Sequence, residues 1–365
     1  MGVLMSCVCA TSHSDSILLH RTSRVLLSFI VGLFLIPHVV RAKDRVVVQP
    51  PDKASPLIIA GDVVDYTSKT LSLHINDQLP IRTFPSDQVI AVEVVQTDPH
   101  REGVRLSNMG AIDEATGQFT QALEDEPRDW VKREIMGWLV RCAMRHPDRA
   151  TAGIRFLQIT QNEQSAREWP LIPLVWDSAE LSTSLRQQAR QWLTGDDDVA
   201  RLLGASCLLL DTAYADVTRS TLRRLARSGD PMIASLATAQ LWRLSLTSGV
   251  SRDELARWQS GIQSMPSVVR AGPYFVLGRA LSQESEYDQA AAAFLWLPTV
   301  YRENETLTSQ ATVNAGAALM RLGRTDEARS LWKEVTEQAG WSLAAAEARS
   351  LLDQTTPPKD ARTDG

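Results

Sequence analysis

The chain has 365 residues, 22% charged and 44% hydrophobic, with a formal net charge of −5, four cysteines and six histidines. That length holds a sizeable core in about two domains, and the charge content is that of a globular chain. The mild acidic surplus argues against a general nucleic-acid or anionic-membrane binder, and so few cysteines exclude a disulfide-built scaffold.

Residues 1–42 read as a targeting segment. Arg21 and Arg24 precede an apolar run from Val25 to Val40, broken only by Ser28, Gly32, Pro37 and His38. Sixteen residues are short for a membrane span, which takes about 20. The run closes on Val40-Arg41-Ala42, a small-residue pattern that predicts signal cleavage after Ala42. The rival reading is an uncleaved anchor. The expected destination is export to the periplasm or cell envelope, with secretion or signal anchoring as alternatives; a membrane is an expected partner only if the leader stays. Three of the 38 basic and one of the 43 acidic residues lie in the leader, so 35 and 42 remain after it, a net of −7. The remainder keeps Cys142 and Cys207, each inside a helical apolar pattern where a buried free thiol is expected rather than a bridge.

Residues 43–95 predict a small β module. Val46–Val48, Leu57–Val64, Thr70–Ile75, Ile81–Phe84 and Val89–Val95 read as five short strands, punctuated by Pro80 and Pro85-Ser86-Asp87. Leu71, Leu73 and Ile75 alternate with Ser72 and His74, which places His74 on a solvent face. Strands this short predict a curled barrel that removes its own edges. The strand rhythm resembles that of the Sm-like class of small barrels.

From Gln96 the pattern is helical, and four windows share one register. The first carries Gly103, Leu106, Gly110, Ala115, Phe119 and Ala122; the second Leu139, Ala143, Ala152, Phe156 and Ile159. The third carries Tyr274, Leu277, Gly278, Tyr287, Ala290 and Phe294; the fourth Gly316, Leu319, Gly323, Ala328 and Trp332. In each, alanine and an aromatic stand four apart, and Pro147 replaces the turn glycine of the second. These windows resemble tetratricopeptide (TPR) repeats, helical hairpins in which small residues let two helices approach closely. The resemblance covers 96–164 and 264–354, the latter closed by a capping helix over 341–352.

Between them, 165–177 holds Trp169-Pro170-Leu171-Ile172-Pro173-Leu174-Val175-Trp176, whose two prolines rule out a helix interior and predict an extended linker. Residues 178–263 read as five helices, with Asp196 and Asp230 in matching N-cap positions. They are similar to HEAT-type pairs or to TPRs that have lost their signature. Glu124-Asp125-Glu126 reads as a solvated helix end, Asp196-Asp197-Asp198 as an N-cap run, and 355–365 as a disordered tail. The fold class expected is mostly α: a TPR-like α-solenoid preceded by a small all-β, Sm-like barrel module.

No G-x-S-x-G, H-E-x-x-H, P-loop or G-x-G-x-x-G occurs, so a non-catalytic protein with no cofactor and no metal site is expected. The alternative is an envelope enzyme with a site between the β module and the first repeats, near Asp87, Glu93 or Glu134. The TPR resemblance implies that the first helix of each hairpin lines a concave groove for proteins or peptides. By register it faces His100, Val104 and Asn108, then Gly137, Arg141 and Arg145, then Phe275, Arg279 and Gln283, then Val313, Ala317 and Arg321. Arg141, Arg145, Phe275, Arg279, Gln283 and Arg321 are the protein-binding candidates. Arginine forks suit carboxylates, so an acidic segment is the expected ligand and nucleic acid is not.

Overall fold

The structure, a computed structural model, describes residues 43–162, 167–177, 181–340 and 342–355. The leader with its cleavage site, the first residues of the 165–177 linker, Trp341 and the tail beyond Thr355 lie outside the described residues. The described residues form one compact unit.

Five antiparallel strands open it: β1 (Asp44–Val48), β2 (Leu57–Tyr66), β3 (Thr70–His74), β4 (Arg82–Pro85) and β5 (Val89–Glu93), in the order β4-β3-β2-β1-β5. The first half of β2 pairs with β1 and its second half with β3, with a register shift between Val63 and Asp65. Contrary to the expected barrel, the sheet does not close. β4 and β5 each have one neighbour and do not pair with each other. β4 is four residues long and ends at Pro85, which has no N–H to donate, and a single helical turn, Ser86–Gln88, carries the chain to the opposite edge. Helices cover the inner face instead. Val46, Val48, Val63, Leu71, Leu73 and Phe84 are buried together with Trp130 and Ile135.

Among the described residues, fourteen helices follow: α1 (Asp98–Asn108), α2 (Ile112–Asp125), α3 (Asp129–Arg145), α4 (Arg149–Asn162), α5 (Thr183–Thr194), α6 (Asp198–Leu208) and α7 (Ala215–Leu225). Then come α8 (Pro231–Ser245), α9 (Arg252–Ser264), α10 (Ala271–Gln283), α11 (Tyr287–Val300), α12 (Glu305–Arg321), α13 (Thr325–Gln338) and α14 (Leu343–Thr355). Thr355, expected in the tail, is the last residue of α14 and donates its hydroxyl to the Leu351 carbonyl.

The hairpins α1–α2, α3–α4, α10–α11 and α12–α13 are built as the repeat pattern implies. A Cβ on Gly103 or Gly278 would come within 2.8 Å of the Phe119 or Phe294 ring on the facing helix, and one on Gly316 would collide with Trp332. All four hairpins turn with the same backbone bond. Ala111 N–H donates to Leu106, Asp148 to Ala143, Glu286 to Leu281 and Arg324 to Leu319, at 2.9–3.0 Å. This six-residue C-cap closure wants a left-handed residue; Gly110 and Gly323 supply it at φ +80° and +77°, and Ser285 takes it at +61°. The second hairpin makes the same bond across Pro147.

The sheet is fastened to the helices through buried charge. Asp44 accepts from the Val63 and Val95 N–H groups, and Arg128 reaches both Asp44 and Glu126. Trp130 Nε1 donates to the Val63 carbonyl and Arg133 to that of Tyr66. Glu126 therefore departs from the solvated helix end expected of it: its side chain is 1% exposed. Burial works against its charge, but the Arg128 bonds outweigh burial and hold the carboxyl below its usual range.

His100, expected on a groove, is wholly buried in this joint, with no partner for Nδ1. Burial pushes its pKa down to about 4, the Glu126 charge opposing and Arg128 assisting. The unfolded chain takes up a proton near pH 6.5 while the folded chain does not. His100 therefore lends stability above pH 6.5 that drains away as the pH falls toward 4, about 2 kcal/mol of it between pH 7 and pH 5. Urea unfolding at the two pH values should show this slope in the wild type and a shallower one in His100→Phe.

Candidate functional site

The repeats do not form an open superhelix. α3, α4, α6, α8, α10 and α12 are successive neighbours, and α12 comes back to pack on α3. The ring is sealed by Arg145. Its guanidinium pairs with Glu305 at 2.5–2.9 Å and donates to the Ser107 carbonyl at 2.6 Å, joining α1, α3 and α12.

The interior of that ring is taken by the chain itself. Trp169–Leu171 forms one helical turn and the rest runs extended to Asp177, with Trp169, Leu171, Ile172, Leu174, Val175 and Trp176 all buried. An extended strand inside helices leaves its polar backbone needing partners, and side chains from four helices provide them. Arg149 of α4 donates to the Leu174 carbonyl, Gln240 of α8 to Val175, Arg279 of α10 to Trp176 and Arg243 of α8 to Asp177, at 2.9–3.1 Å. Ser206 of α6 accepts from the Val175 N–H at 2.9 Å. Burial draws the Arg243 pKa down to about 10, so it stays charged at neutral pH. Two glycines clear the path: Gly137 lies against Leu171, and a Cβ on Gly272 would sit inside the Trp176 indole.

This arrangement sorts the binding candidates. Phe275 is not available: it is 1% exposed and meets the Phe294 ring edge-on at 5.7 Å. Arg145 is spent on the ring seam. Arg141 stacks over Trp138 at 5.0 Å, and burial pulls its pKa down against the pull of Glu305 and Glu134. Gly137 and Val313 are buried as well.

Arg279, Gln283 and Arg321 do come together. They line an open groove of about 350 Å³ between α10 and α12, with Ser282, Asn314 and Ala317. Arg279 and Gln283 are one turn apart on α10; Asn314, Ala317 and Arg321 follow the i, i+3, i+7 stripe of α12. Among the described residues, Gln283, Asn314 and Arg321 have no hydrogen-bond or ion-pair partner, although all three reach solvent. Asn314 was missed from the sequence, where its seven-residue spacing from Arg321 was the available signal. A larger cleft of about 790 Å³ flanks the seam, but its Arg302, Glu305, Glu334 and Glu337 are of mixed sign.

The carboxylates of the enzyme alternative are dispersed. Asp87 is exposed, and Glu93 pairs with Arg45 at the surface. Burial raises the Glu134 pKa against Arg167 and Arg141, and neither Asp87 nor Glu93 is among the charges acting on it. No group of three potential metal ligands occurs among the described residues. Cys142 and Cys207 are free and buried, as expected. Of the aspartate run, Asp197 rather than Asp196 caps α6, accepting from the Ala200 N–H at 2.7 Å, while Asp196 and Asp198 pair with Arg201.

No family model matches the chain, and no curated protein matches it. Among solved structures it is similar to a Signal Transduction ATPase with Numerous Domains (STAND) protein with a tetratricopeptide repeat sensor from Pyrococcus horikoshii. The identity is 13% and the TM-score 0.30, over 70% of this chain and 38% of that one. The chain thus spans well under half of that protein's length, and nothing of that protein's activity transfers at this level of likeness. The fold itself gives the class: mostly helical and repeat-built, with a five-stranded N-terminal sheet among the described residues, compatible with the TPR resemblance.

Proposed function

We propose that this protein is a non-catalytic, TPR-like interaction scaffold of the cell envelope that holds an acidic segment of a protein partner in the α10–α12 groove. The carrying observation is the set of unpaired Gln283, Asn314 and Arg321 side chains converging on one open groove that Arg279, bonded to the Trp176 carbonyl, also lines. The polar groups of the ring interior, by contrast, are committed to the chain's own backbone. Arg321 closes α12, where the helix dipole favours a cation, and its fork presents paired donors to a carboxylate. Support for the envelope is the leader alone, Arg21 and Arg24 before the Val25–Val40 run and Val40-Arg41-Ala42 after it.

The test uses fluorescent peptides rich in Asp and Glu, titrated against the full chain. Arg321→Glu exchanges a charge-assisted pair for a repulsion and is expected to weaken binding roughly tenfold or more, with steep salt dependence in the wild type. Arg321 is exposed, so the fold should tolerate the change. Equal affinity of variant and wild type would sink the groove as the binding site.

A further inference from the structure

Beside the extended segment the helices leave a second pocket, of about 350 Å³, and its walls are largely apolar. Leu174 and Trp176 of the segment form one side; Met144 of α3, Leu185 of α5, Leu307 of α12 and Leu343 of α14 form the others. Leu343 is 77% exposed, an aliphatic side chain left in solvent on the open side of the pocket.

The charge around this pocket is lopsided. Among the described residues two cations line it, and Arg145 is held in the ring seam by Glu305. The other, Arg149, gives Nη1 to the Leu174 carbonyl, while its Nε and Nη2 have no hydrogen-bond partner among the described residues. Asp177 is the one acid among the described lining residues, and its charge already acts on Arg243 and Arg279. Three guanidiniums, Arg149, Arg243 and Arg279, thus share one neighbourhood with a single carboxylate. Cys207 beside them stays a neutral thiol, because burial raises its pKa to about 11. Four helices add to the surplus: α4, α5, α12 and α14 all begin at this wall, at Arg149, Ser182, Asn304 and Ser342, and the first turn of a helix carries its positive dipole end.

An apolar pocket under a positive potential suits an anion on an apolar body, and the wall narrows the body further. Ser182, Asn304 and Ser342 spend their side-chain oxygens on N–H groups of α5, α12 and α14. A peptide lying here would leave backbone polar groups unpaired, which burial penalises, whereas a hydrocarbon chain brings none. We propose that this pocket binds an aliphatic carboxylic acid: the carboxylate takes the remaining donors of the Arg149 fork, and the alkyl chain lies against Leu174, Trp176, Leu307 and Leu343. The site goes beyond the acidic-segment groove between α10 and α12 and shares no lining residue with it.

The test titrates dodecanoate, below its micellar concentration, into the full chain and follows the heat of binding, with dodecanol and dodecyltrimethylammonium as probes of the head group. Dodecanoate should saturate a single site. Dodecanol offers the guanidinium no charge and should bind about tenfold more weakly, and the cationic amphiphile should not bind. Arg149→Gln is expected to bring dodecanoate down to the affinity of dodecanol. Because Arg149 also holds the Leu174 carbonyl, Leu343→Asp is the second variant: it changes an exposed residue and should weaken both ligands. Equal affinity for dodecanoate and dodecanol, binding indifferent to both variants, or no binding of dodecanoate would each overturn the proposal. So would a peptide with a free C-terminal leucine that binds through Arg149 where dodecanoate does not, which would give the pocket to a protein partner. The α10–α12 groove stands or falls separately, by Arg321→Glu and acidic peptides.

Discussion

Trp176→Ala is expected to destabilise the protein by about 3–5 kcal/mol, the range for removing a large aromatic from a packed core. The indole fills the space that Gly272 leaves on α10, and the site cannot collapse because α10 is held between α8, α11 and α12. Its carbonyl also anchors the half-buried Arg279, so loosening residue 176 costs that guanidinium a partner as well as leaving a cavity. The effect should be seen in urea unfolding as a lowered midpoint and an unchanged or smaller denaturant slope. A loss below about 1 kcal/mol, the scale of a surface substitution, would mean that the 169–177 segment merely lies against the helices.

The second large effect lies at the joint between sheet and helices. Arg128→Ala leaves Asp44 and Glu126 buried without their counter-charge, side chains that are 3% and 1% exposed. Removing one member of a buried charged set costs about 3–5 kcal/mol, because the survivors keep their desolvation penalty. Asp44 retains its two backbone donors, whereas the Glu126 carboxylate loses every side-chain bond recorded for it. The expected signature is early release of the β module, read by the fluorescence of Trp130, whose indole donates to Val63. Pairing Arg128→Ala with Glu126→Gln should recover part of the loss, since a neutral amide tolerates burial better than a lone carboxylate.

The hairpins were legible because their determinants are local. Gly278 and Phe294, or Gly316 and Trp332, recur at fixed spacing, and their contact follows from helix geometry alone. The two prolines of the 169–176 stretch likewise announced an extended backbone. What could not be read was its position, because the donors that hold it, Arg149, Ser206, Gln240, Arg243 and Arg279, are scattered over four helices and look like surface residues one at a time. Ring closure was hidden for the same reason. Arg145 and Glu305 are 160 residues apart, and no periodicity links them. This single contact engages Arg145 in the seam, while Arg279, Gln283 and Arg321 line one groove between α10 and α12. The strand sequence predicted five strands correctly but not their openness, since the covering of the inner face by Trp130 and Ile135 depends on a helix that starts at Asp129, 36 residues after β5 ends at Glu93.

The most direct test of the filled ring is hydrogen exchange at the Val175 amide. That N–H donates to Ser206 Oγ at 2.9 Å, and both residues are buried. If the segment is the core of the ring, the amide exchanges only through global unfolding, at the same protection as amides in α6 and α10. Exchange at the rate of an exposed loop would contradict a ring closed around its own chain, and would return the interior to the list of places where a partner can bind.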